Sequence, residues 1–218
     1  MALAYLAFTT IGRGLYGARV DAAADRLVET LVRGPFHPLV DGSAALGSPA
    51  VSLPLALALA LALGLRRGRL AGALVPVALV GLTVVEAGQR LRLGAVLWDD
   101  LPGLLVRPRG HHLLVSAYPS GHAARVAFLL LTAALAWPRR PSPGPLAMAV
   151  LLSLTVALQR VHATAHTGSD VVGGLLLGGA TALSLMAALA LLERRGRAPT
   201  ERFTGRAGAP PVWRHRSR

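Results

Sequence analysis

The chain has 218 residues, of which 53% are hydrophobic and 15% are charged, and its formal net charge is +13. This balance excludes an ordinary soluble domain and favours a membrane protein with a single domain. The chain has no cysteine, which excludes disulfides and thiol chemistry, and all 23 of its basic residues are arginine. Such a positive charge would also suit nucleic acid, but the arginines cluster between apolar segments, as they do in membrane proteins.

Long stretches with almost no charge predict membrane-spanning helices. Each is close to the roughly 20 residues that cross a hydrocarbon core, and only segments that satisfy their own backbone can cross it. A shorter apolar run over residues 2–17 predicts a shortened first span. The expected fold is therefore all-α, a polytopic membrane helix bundle of about six transmembrane helices. The long stretches are residues 42–65, 70–85, 126–138 with an extension back to 110 that contains Arg125, 141–159 and 171–192.

Arginine clusters separate the predicted spans and indicate their orientation. Because successive helices alternate in direction, all the clusters lie on one face, which the positive-inside rule makes cytoplasmic. Segments 86–121 and 160–170 then share the outer face. We therefore expect a multi-pass protein of the cell membrane. The clusters are Arg66, Arg67 and Arg69, then Arg139 and Arg140, and finally the eight arginines from Arg194 to Arg218.

Two segments differ in composition from the predicted spans. Residues 19–40 alternate apolar and charged positions at helical spacing, which predicts an amphipathic surface helix. The end of the chain is rich in Arg, Gly and Pro, which predicts a disordered cytoplasmic tail attracted to anionic lipid. RNA binding by this tail is a less favoured alternative, and no nucleic-acid partner is expected. The chain thus divides into a membrane-embedded domain, residues 1–192, and a basic tail, residues 193–218.

The run Tyr118–His122 opens an apolar helix near the middle of the chain. A helix start presents free N–H groups and the positive end of the helix dipole, which together suit a phosphate. Gly121 lets the backbone approach closely, and the Ser120 hydroxyl can donate to an oxygen. His122, in the first turn, could protonate a leaving oxygen. The simpler alternative is that Pro119 and Ser120 only begin the helix, as these residue types commonly do.

Arg160, His166 and Asp170 precede the last predicted span with the spacing R-x5-H-x3-D. His166 and Asp170 are four residues apart and share a helical face. The carboxylate can therefore hold one ring nitrogen and leave the other free to attack an electrophile. The planar guanidinium of Arg160 matches the oxygens of a phosphate. Asp170 could also cap the helix, but capping does not explain the histidine and arginine beside it.

His162, His166 and Asp170 also form an H-x3-H-x3-D run, which has metal-ligand spacing on one helical face. This pattern predicts a metal-dependent membrane enzyme or a metal transporter. The Thr, Gly and Ser residues among the three favour a polar loop over a continuous helix, so we favour a site with no metal and no other cofactor. Three further histidines are expected at the interface or in loops: His37, His111 and His112.

The two motifs together resemble the superfamily of type-2 phosphatidic acid phosphatases, membrane lipid phosphate phosphatases related to vanadium-dependent haloperoxidases. The resemblance covers roughly residues 40–192. It rests on Pro119–His122 and on Arg160 with His166 and Asp170, which match the family's second and third motifs. Their order, their separation and their place at outer-facing helix ends also fit this family.

The chain departs from the family at the first motif, which has a lysine, six residues and then Arg-Pro. Arg107-Pro108 stands at the right place, but the position seven residues before Arg107 is Asp100, and the chain has no lysine. Arg90 or Arg92, just after a predicted span, could supply the missing charge if a loop folds back, and we favour Arg92.

The resemblance implies metal-independent hydrolysis of a phosphomonoester or diphosphate on a lipid, with undecaprenyl or another polyprenyl diphosphate as the leading substrate. It implies that His166 attacks phosphorus to form a phosphohistidine, that Asp170 orients it, and that His122 is the general acid. The expected partners are the lipid phosphate and the bilayer, and the site faces the extracytoplasmic side. The missing lysine supports one alternative, a catalytically silent lipid-binding member. The residues expected to hold the phosphate are Arg107, Arg160, Ser120, Gly121 and Arg92.

Overall fold

The fold was analysed in a computed structural model that describes residues 2–9, 13–32, 37–99, 118–136 and 143–196. Within these ranges every regular element is a helix, which confirms the predicted all-α class. The eight helices of the described residues are α1 (Ala2–Ala7), α2 (Arg13–Val32), α3 (His37–Gly47), α4 (Pro49–Arg67), α5 (Arg69–Asp99), α6 (Gly121–Ala136), α7 (Pro143–His162) and α8 (Gly168–Gly196).

Four of the described helices, α4, α5, α7 and α8, are long and apolar enough to span a membrane. The apolar helix α6 has 16 residues and a length of about 24 Å. It lies inside the bundle, where ten of its side chains are buried, and its main partner is α8. The lipid-facing side of the bundle is apolar, since large side chains such as Leu57, Leu61, Val80 and Val84 are all more than 60% exposed. A bilayer would cover this surface.

The predicted span over residues 42–65 is divided into two helices at Gly47 and Ser48. Ser48 has an extended backbone, and Pro49 occupies the first turn of α4, where its missing N–H costs nothing. Gly47 is buried against α6: a Cβ there would lie 2.7 Å from the Cβ of His122. The junction between α3 and α4 therefore lies directly against the residue predicted to be the general acid.

Helix α5 continues well past the uncharged stretch that predicted it. The stretch ends at residue 85, whereas the helix runs to Asp99. The first charged residue after that stretch, Glu86, pairs with Arg90 one turn later, with 2.8 Å between the carboxylate oxygen and Nη2. This pairing reduces the cost of carrying the charges in an apolar bundle. Arg90 and Arg92 therefore lie on a helix, and the loop predicted to fold back after Arg92 begins no earlier than residue 100, outside the described residues.

The first 40 residues also differ in detail from the prediction. The short span predicted over residues 2–17 is shared between α1, which ends at Ala7, and α2, which begins at Arg13. Helix α2 corresponds to the predicted amphipathic helix, and it ends at Val32. It packs against the start of α8, where a Cβ on Gly168 would lie 2.6 Å from the Cβ of Ala24.

Two glycines of α8 allow the close packing of α6 and α8. An added Cβ would lie 2.4 Å from the carbonyl oxygen of Ser120 at Gly174, and 2.2 Å from that of Ala124 at Gly178. Small residues four apart let two membrane helices approach backbone to backbone. This contact brings the start of α6 next to the start of α8, where the two sequence motifs lie.

At the end of the bundle away from the two motifs, Arg67 links three helices. Its guanidinium donates to the carbonyl oxygen of Ala136 at 2.8 Å and pairs with Glu193 at 3.1 Å. The ends of α4, α6 and α8 therefore meet on one side, and the two motifs lie on the other. Helix α8 reaches Gly196, beyond the predicted domain boundary at residue 192. Arg139, Arg140 and the tail beyond residue 196 lie outside the described residues.

Candidate active site

A backbone hydrogen bond joins the two motifs. The N–H of Ser120, just before α6, donates to the carbonyl oxygen of Asp170, in the first turn of α8, at 2.9 Å. Both residues are buried, with Ser120 fully enclosed and Asp170 3% exposed. The structure thus brings together the segments that the sequence predicted to form one site.

Ser120 begins α6 through its backbone and not through its side chain. Its carbonyl oxygen accepts the first helical hydrogen bond, from the N–H of Ala124 at 3.0 Å. Its buried hydroxyl has no hydrogen-bond partner among the described residues. A serine that served only as a cap would use that hydroxyl on a backbone N–H. The capping alternative therefore does not account for the side chain.

The side chain of Asp170 caps helix α8 and also lies near His166, the predicted nucleophile. Its Oδ2 accepts the N–H of Thr167 at 3.0 Å, and the Thr167 hydroxyl lies 3.4 Å from the N–H of Asp170. This reciprocal pair is a capping box at the start of α8. The same Oδ2 lies 3.8 Å from Nδ1 of His166, beyond hydrogen-bond length. Capping and the pairing with His166 therefore coexist.

The turn between α7 and α8 places His166 relative to Arg160. After α7 ends at His162, Thr164 adopts a left-handed conformation with φ 54°. The carbonyl oxygen of Arg160 then accepts the N–H groups of Ala165 and His166, both at 3.2 Å. The guanidinium and the imidazole of the third motif are thus held by one local backbone arrangement.

Several buried polar atoms at this site have no hydrogen-bond partner within the described part of the chain. These atoms can all donate, or donate in one protonation state, and they come from four different segments. Burying such groups unpaired is costly, so each requires an explanation. An anion with several oxygens would suit the arginine and serine donors, whereas the histidine nitrogen faces Asp170. The atoms are Nε of Arg90, Oγ of Ser120, Nε of Arg160 and Nδ1 of His166.

His122 lies in the first turn of α6, half-buried, among cationic side chains. Its ring interacts electrostatically with His166 and with three arginines. His166 and His122 therefore face the same small region of the molecule, as the sequence predicted. The arginines are Arg160, Arg125 and Arg90.

Glu86 is a buried carboxylate that the sequence analysis did not single out. It is 7% exposed, and its oxygens lie 2.8 Å from Nη2 of Arg90 and 3.3 Å from Nη1 of Arg125. Its carboxylate packs against Gly121, where an added Cβ would overlap it. Arg125 also donates from Nε to the carbonyl oxygen of Gly47 at 3.0 Å. Glu86 and Arg125 thus link α5 and the α3–α4 junction to the phosphate-binding turn predicted at Gly121.

Both residues carried a signal that sequence reasoning could have used. Arg125 is the single charged residue in an otherwise apolar stretch, and Glu86 stands four residues before Arg90. Charged groups at membrane depth are functional candidates by default.

Asp21 is a further residue whose contact with the site the sequence did not predict. Its Oδ1 accepts the N–H of Ser169 at 2.7 Å, which satisfies a free donor in the first turn of α8. The amphipathic helix α2 therefore supports the segment that carries Asp170.

Arg90 and Arg92 are the two arginines predicted to replace the family's lysine, and the structure describes the side chain of Arg90. Nη2 of Arg90 lies 3.4 Å from the carbonyl oxygen of Pro119, so this side chain reaches the start of α6. Arg92 lies on α5, but its side chain is outside the described residues, and Arg107 is outside them altogether. Of these three predicted positions, Arg90 is the one with a described contact to the site.

The predicted grouping of His162, His166 and Asp170 does not form on one helix. His162 is the last residue of α7, and the turn before α8 separates it from His166. Among the described residues, the histidine and acidic side chains that converge with His162 are His37 and Asp41.

Comparison with known proteins agrees with this geometry. Residues 102–194 match the PAP2 superfamily, that is, the type-2 phosphatidic acid phosphatases. The match covers both motifs, and the resemblance that they indicate is confirmed for this part of the chain. No curated protein matches the chain.

The fold is also similar to a crystal structure described as the first transmembrane PAP2 type phosphatidylglycerolphosphate phosphatase from Bacillus subtilis. The two share 19% sequence identity with a TM-score of 0.62, and the match covers 92% of this chain and 98% of that one. The protein is therefore a membrane protein with a PAP2 phosphatase fold.

Proposed function

We propose that the protein hydrolyses a phosphomonoester or diphosphate on a membrane lipid through a phosphohistidine intermediate. The observation that carries this proposal is the convergence of unpartnered buried donors around His166 and His122. A tetrahedral phosphoryl group offers oxygens to several donors at once, whereas a neutral lipid headgroup does not.

In the proposed reaction, His166 is the nucleophile. Its Nδ1 faces Asp170, so Nε2 is the nitrogen left to attack phosphorus. As the N–P bond forms, the bond from phosphorus to the leaving oxygen breaks, and His122 donates a proton to that oxygen. Water then attacks the phosphohistidine, His122 takes a proton from it, and inorganic phosphate leaves with His166 restored. Asp170 stabilises the positive charge that the His166 ring carries in the intermediate.

The phosphate oxygens are held by fixed donors that neutralise the transition state. Arg160 and the Ser120 hydroxyl provide two of them, and the backbone at Gly121 lets the phosphate approach the start of α6. Arg107 of the first motif is a further ligand. For the role of the family's lysine we now favour Arg90 over Arg92, because Arg90 reaches Pro119.

Charge placement supports the proposed orientation of the site, and the family resemblance supports the proposed class of substrate. The site lies at the end of the bundle opposite Arg67, so the positive-inside rule gives it an extracytoplasmic orientation at the cell membrane, with the tail from residue 193 in the cytoplasm. A polyprenyl diphosphate such as undecaprenyl diphosphate is our leading substrate. Phosphatidylglycerol phosphate is the second, since the structural relative is described as acting on it.

Phosphate release from a panel of lipids tests the proposal. Purified protein in detergent, with EDTA present, should release phosphate from at least one polyprenyl or glycerophospholipid phosphate. The His166→Ala variant, matched by thermal melting, should lose nearly all turnover, because no neighbouring group replaces the nucleophile. A variant that keeps more than about a tenth of kcat would exclude the nucleophile role, since even one oxyanion donor is worth about a hundredfold. A panel with no turnover would favour a silent lipid-binding protein, and loss of activity with EDTA would favour a metal enzyme.

A further inference from the structure

A second group of converging side chains lies outside the phosphate chemistry. His37 and Asp41 on α3 and His162 at the end of α7 each offer one ligand atom, and these atoms all lie within 4.8 Å of one another. The His37 and His162 rings meet edge to face, with centroids 5.3 Å apart. None of the three has a role in the proposed hydrolysis.

The donor set and its spacing suit a zinc ion. Zn²⁺ takes imidazole nitrogen and carboxylate oxygen at about 2.0–2.2 Å in tetrahedral geometry, so neighbouring ligand atoms stand about 3.3 Å apart. Nδ1 of His37 and Oδ2 of Asp41 are already 3.3 Å apart, because residues four apart share a helical face. The same helical spacing holds two zinc ligands in known metalloenzymes. His162 completes three protein ligands, and a fourth position remains for water.

The third ligand distinguishes this group from an ordinary surface ion pair. The His37 and Asp41 side chains are 51% and 46% exposed, and a pair so open to water contributes little stability by itself. A histidine from another helix, approaching the same two atoms, is not required by that pair. The exposure also gives an ion direct access from solvent.

We propose that His37, Asp41 and His162 form a zinc-binding site that ties α3 to α7 beside the phosphate site. Both helices contribute to that site: α3 ends at Gly47, against His122, and His162 follows Arg160 by two residues. Zinc here takes no part in bond breaking. It stabilises the folded protein by binding the native state and fixes the spacing of these two helices.

Calorimetric titration of ZnCl₂ into tag-free, chelator-treated full-length protein tests the site. We expect saturable binding with one ion per chain and a rise in Tm on adding zinc. His37→Ala and His162→Ala should each weaken binding at least about tenfold, since even loss of an outer partner of a metal ligand costs that much. Two controls should bind zinc like the wild type: Asp25→Asn, which changes an exposed carboxylate on α2, and His122→Ala, which changes the phosphate site.

The outcomes separate this proposal from the proposed function. Binding that survives both His37→Ala and His162→Ala, or that disappears in His122→Ala, would overturn the zinc site, as would no saturable binding by the wild type. The Tm of each variant without zinc shows whether it is folded. A folded His37→Ala or His162→Ala variant that no longer binds zinc supports the site. Lipid hydrolysis in EDTA, measured well below the Tm of the zinc-free protein, bears only on the proposed function, because zinc at this site takes no part in bond breaking.

Discussion

The N–H of Ser120 donates to the carbonyl oxygen of Asp170 at 2.9 Å, so the two motifs are joined by backbone and not by their chemical groups. Side chains at the site can therefore change without separating α6 from α8. This arrangement makes substitutions at the site informative about chemistry. Losses of activity in variants that melt normally can be assigned to the group removed.

Replacing Arg90 tests which residue substitutes for the family's lysine. Arg90→Gln should lower kcat/KM about a hundredfold or more, because it removes a preorganised charge from the phosphoryl transition state. Arg69→Gln, at the opposite end of the bundle, is the matched control and should change kcat/KM by less than about threefold. If kcat/KM is unchanged in Arg90→Gln and reduced in Arg92→Gln, the sequence-based preference for Arg92 is correct.

Removing the charge of Glu86 tests its role in positioning Arg90. Glu86→Gln should lower stability by about 1.5–3 kcal/mol, the usual worth of hydrogen bonds to charged groups, and should also reduce kcat/KM. The decisive measurement is a double-mutant cycle with Arg90→Gln. If Glu86 acts through Arg90, the two losses in kcat/KM are not additive, whereas independent effects would add. Glu86→Asp should recover part of the activity.

The glycine contact between α6 and α8 predicts a packing effect without any change of charge. Gly178→Ala places a Cβ in steric overlap with the carbonyl oxygen of Ala124, and overpacking of this kind costs about 1–3 kcal/mol. We expect a clear fall in Tm in detergent. Gly81→Ala is the control, since a Cβ at Gly81 meets no atom within 4 Å. Its Tm should stay the same or rise, and an equal fall in both variants would contradict the packing account.

The orientation of the site can be tested by labelling, because the chain has no cysteine of its own. Ala165→Cys lies in the exposed turn beside the site, and Arg69→Cys lies at the exposed start of α5, at the other end of the bundle. A membrane-impermeant thiol reagent added to intact cells should label position 165 and not position 69. The reverse pattern would show that the site faces the cytoplasm.

The sequence predicted those parts of the site whose residues are close to one another along the chain. His166 and Asp170 are four residues apart, and Ser120, Gly121 and His122 are consecutive, so a helix or a turn fixes their relative positions. Membrane helices were predictable from uncharged length for a similar reason. The break at Ser48 was also readable in principle, because Pro49 follows a capping residue type.

The contacts that the sequence did not predict are those between side chains on different helices, because they depend on which helices pack together. Nothing in the spacing of Glu86 and Arg125 indicates that their side chains meet, since they lie on different helices 39 residues apart. The same holds for Asp21 and Ser169. The preference for Arg92 over Arg90 rested on a loop between Arg92 and Arg107, of which residues 100–106 lie outside the described residues, so that preference stays a prediction.

The hydrogen bond between Asp21 and Ser169 shows that the segment matching the superfamily depends on residues outside it. Residues 102–194 match the superfamily, yet the acceptor that holds the first turn of α8 comes from α2, far outside that range. Glu86, Arg90 and Gly47 also lie outside it. A truncated protein limited to the matched segment would keep every motif residue of α6, α7 and α8 and lose the supports that orient them. The two motifs therefore depend on residues from the first hundred of the chain, and moving the site into another protein requires those residues as well.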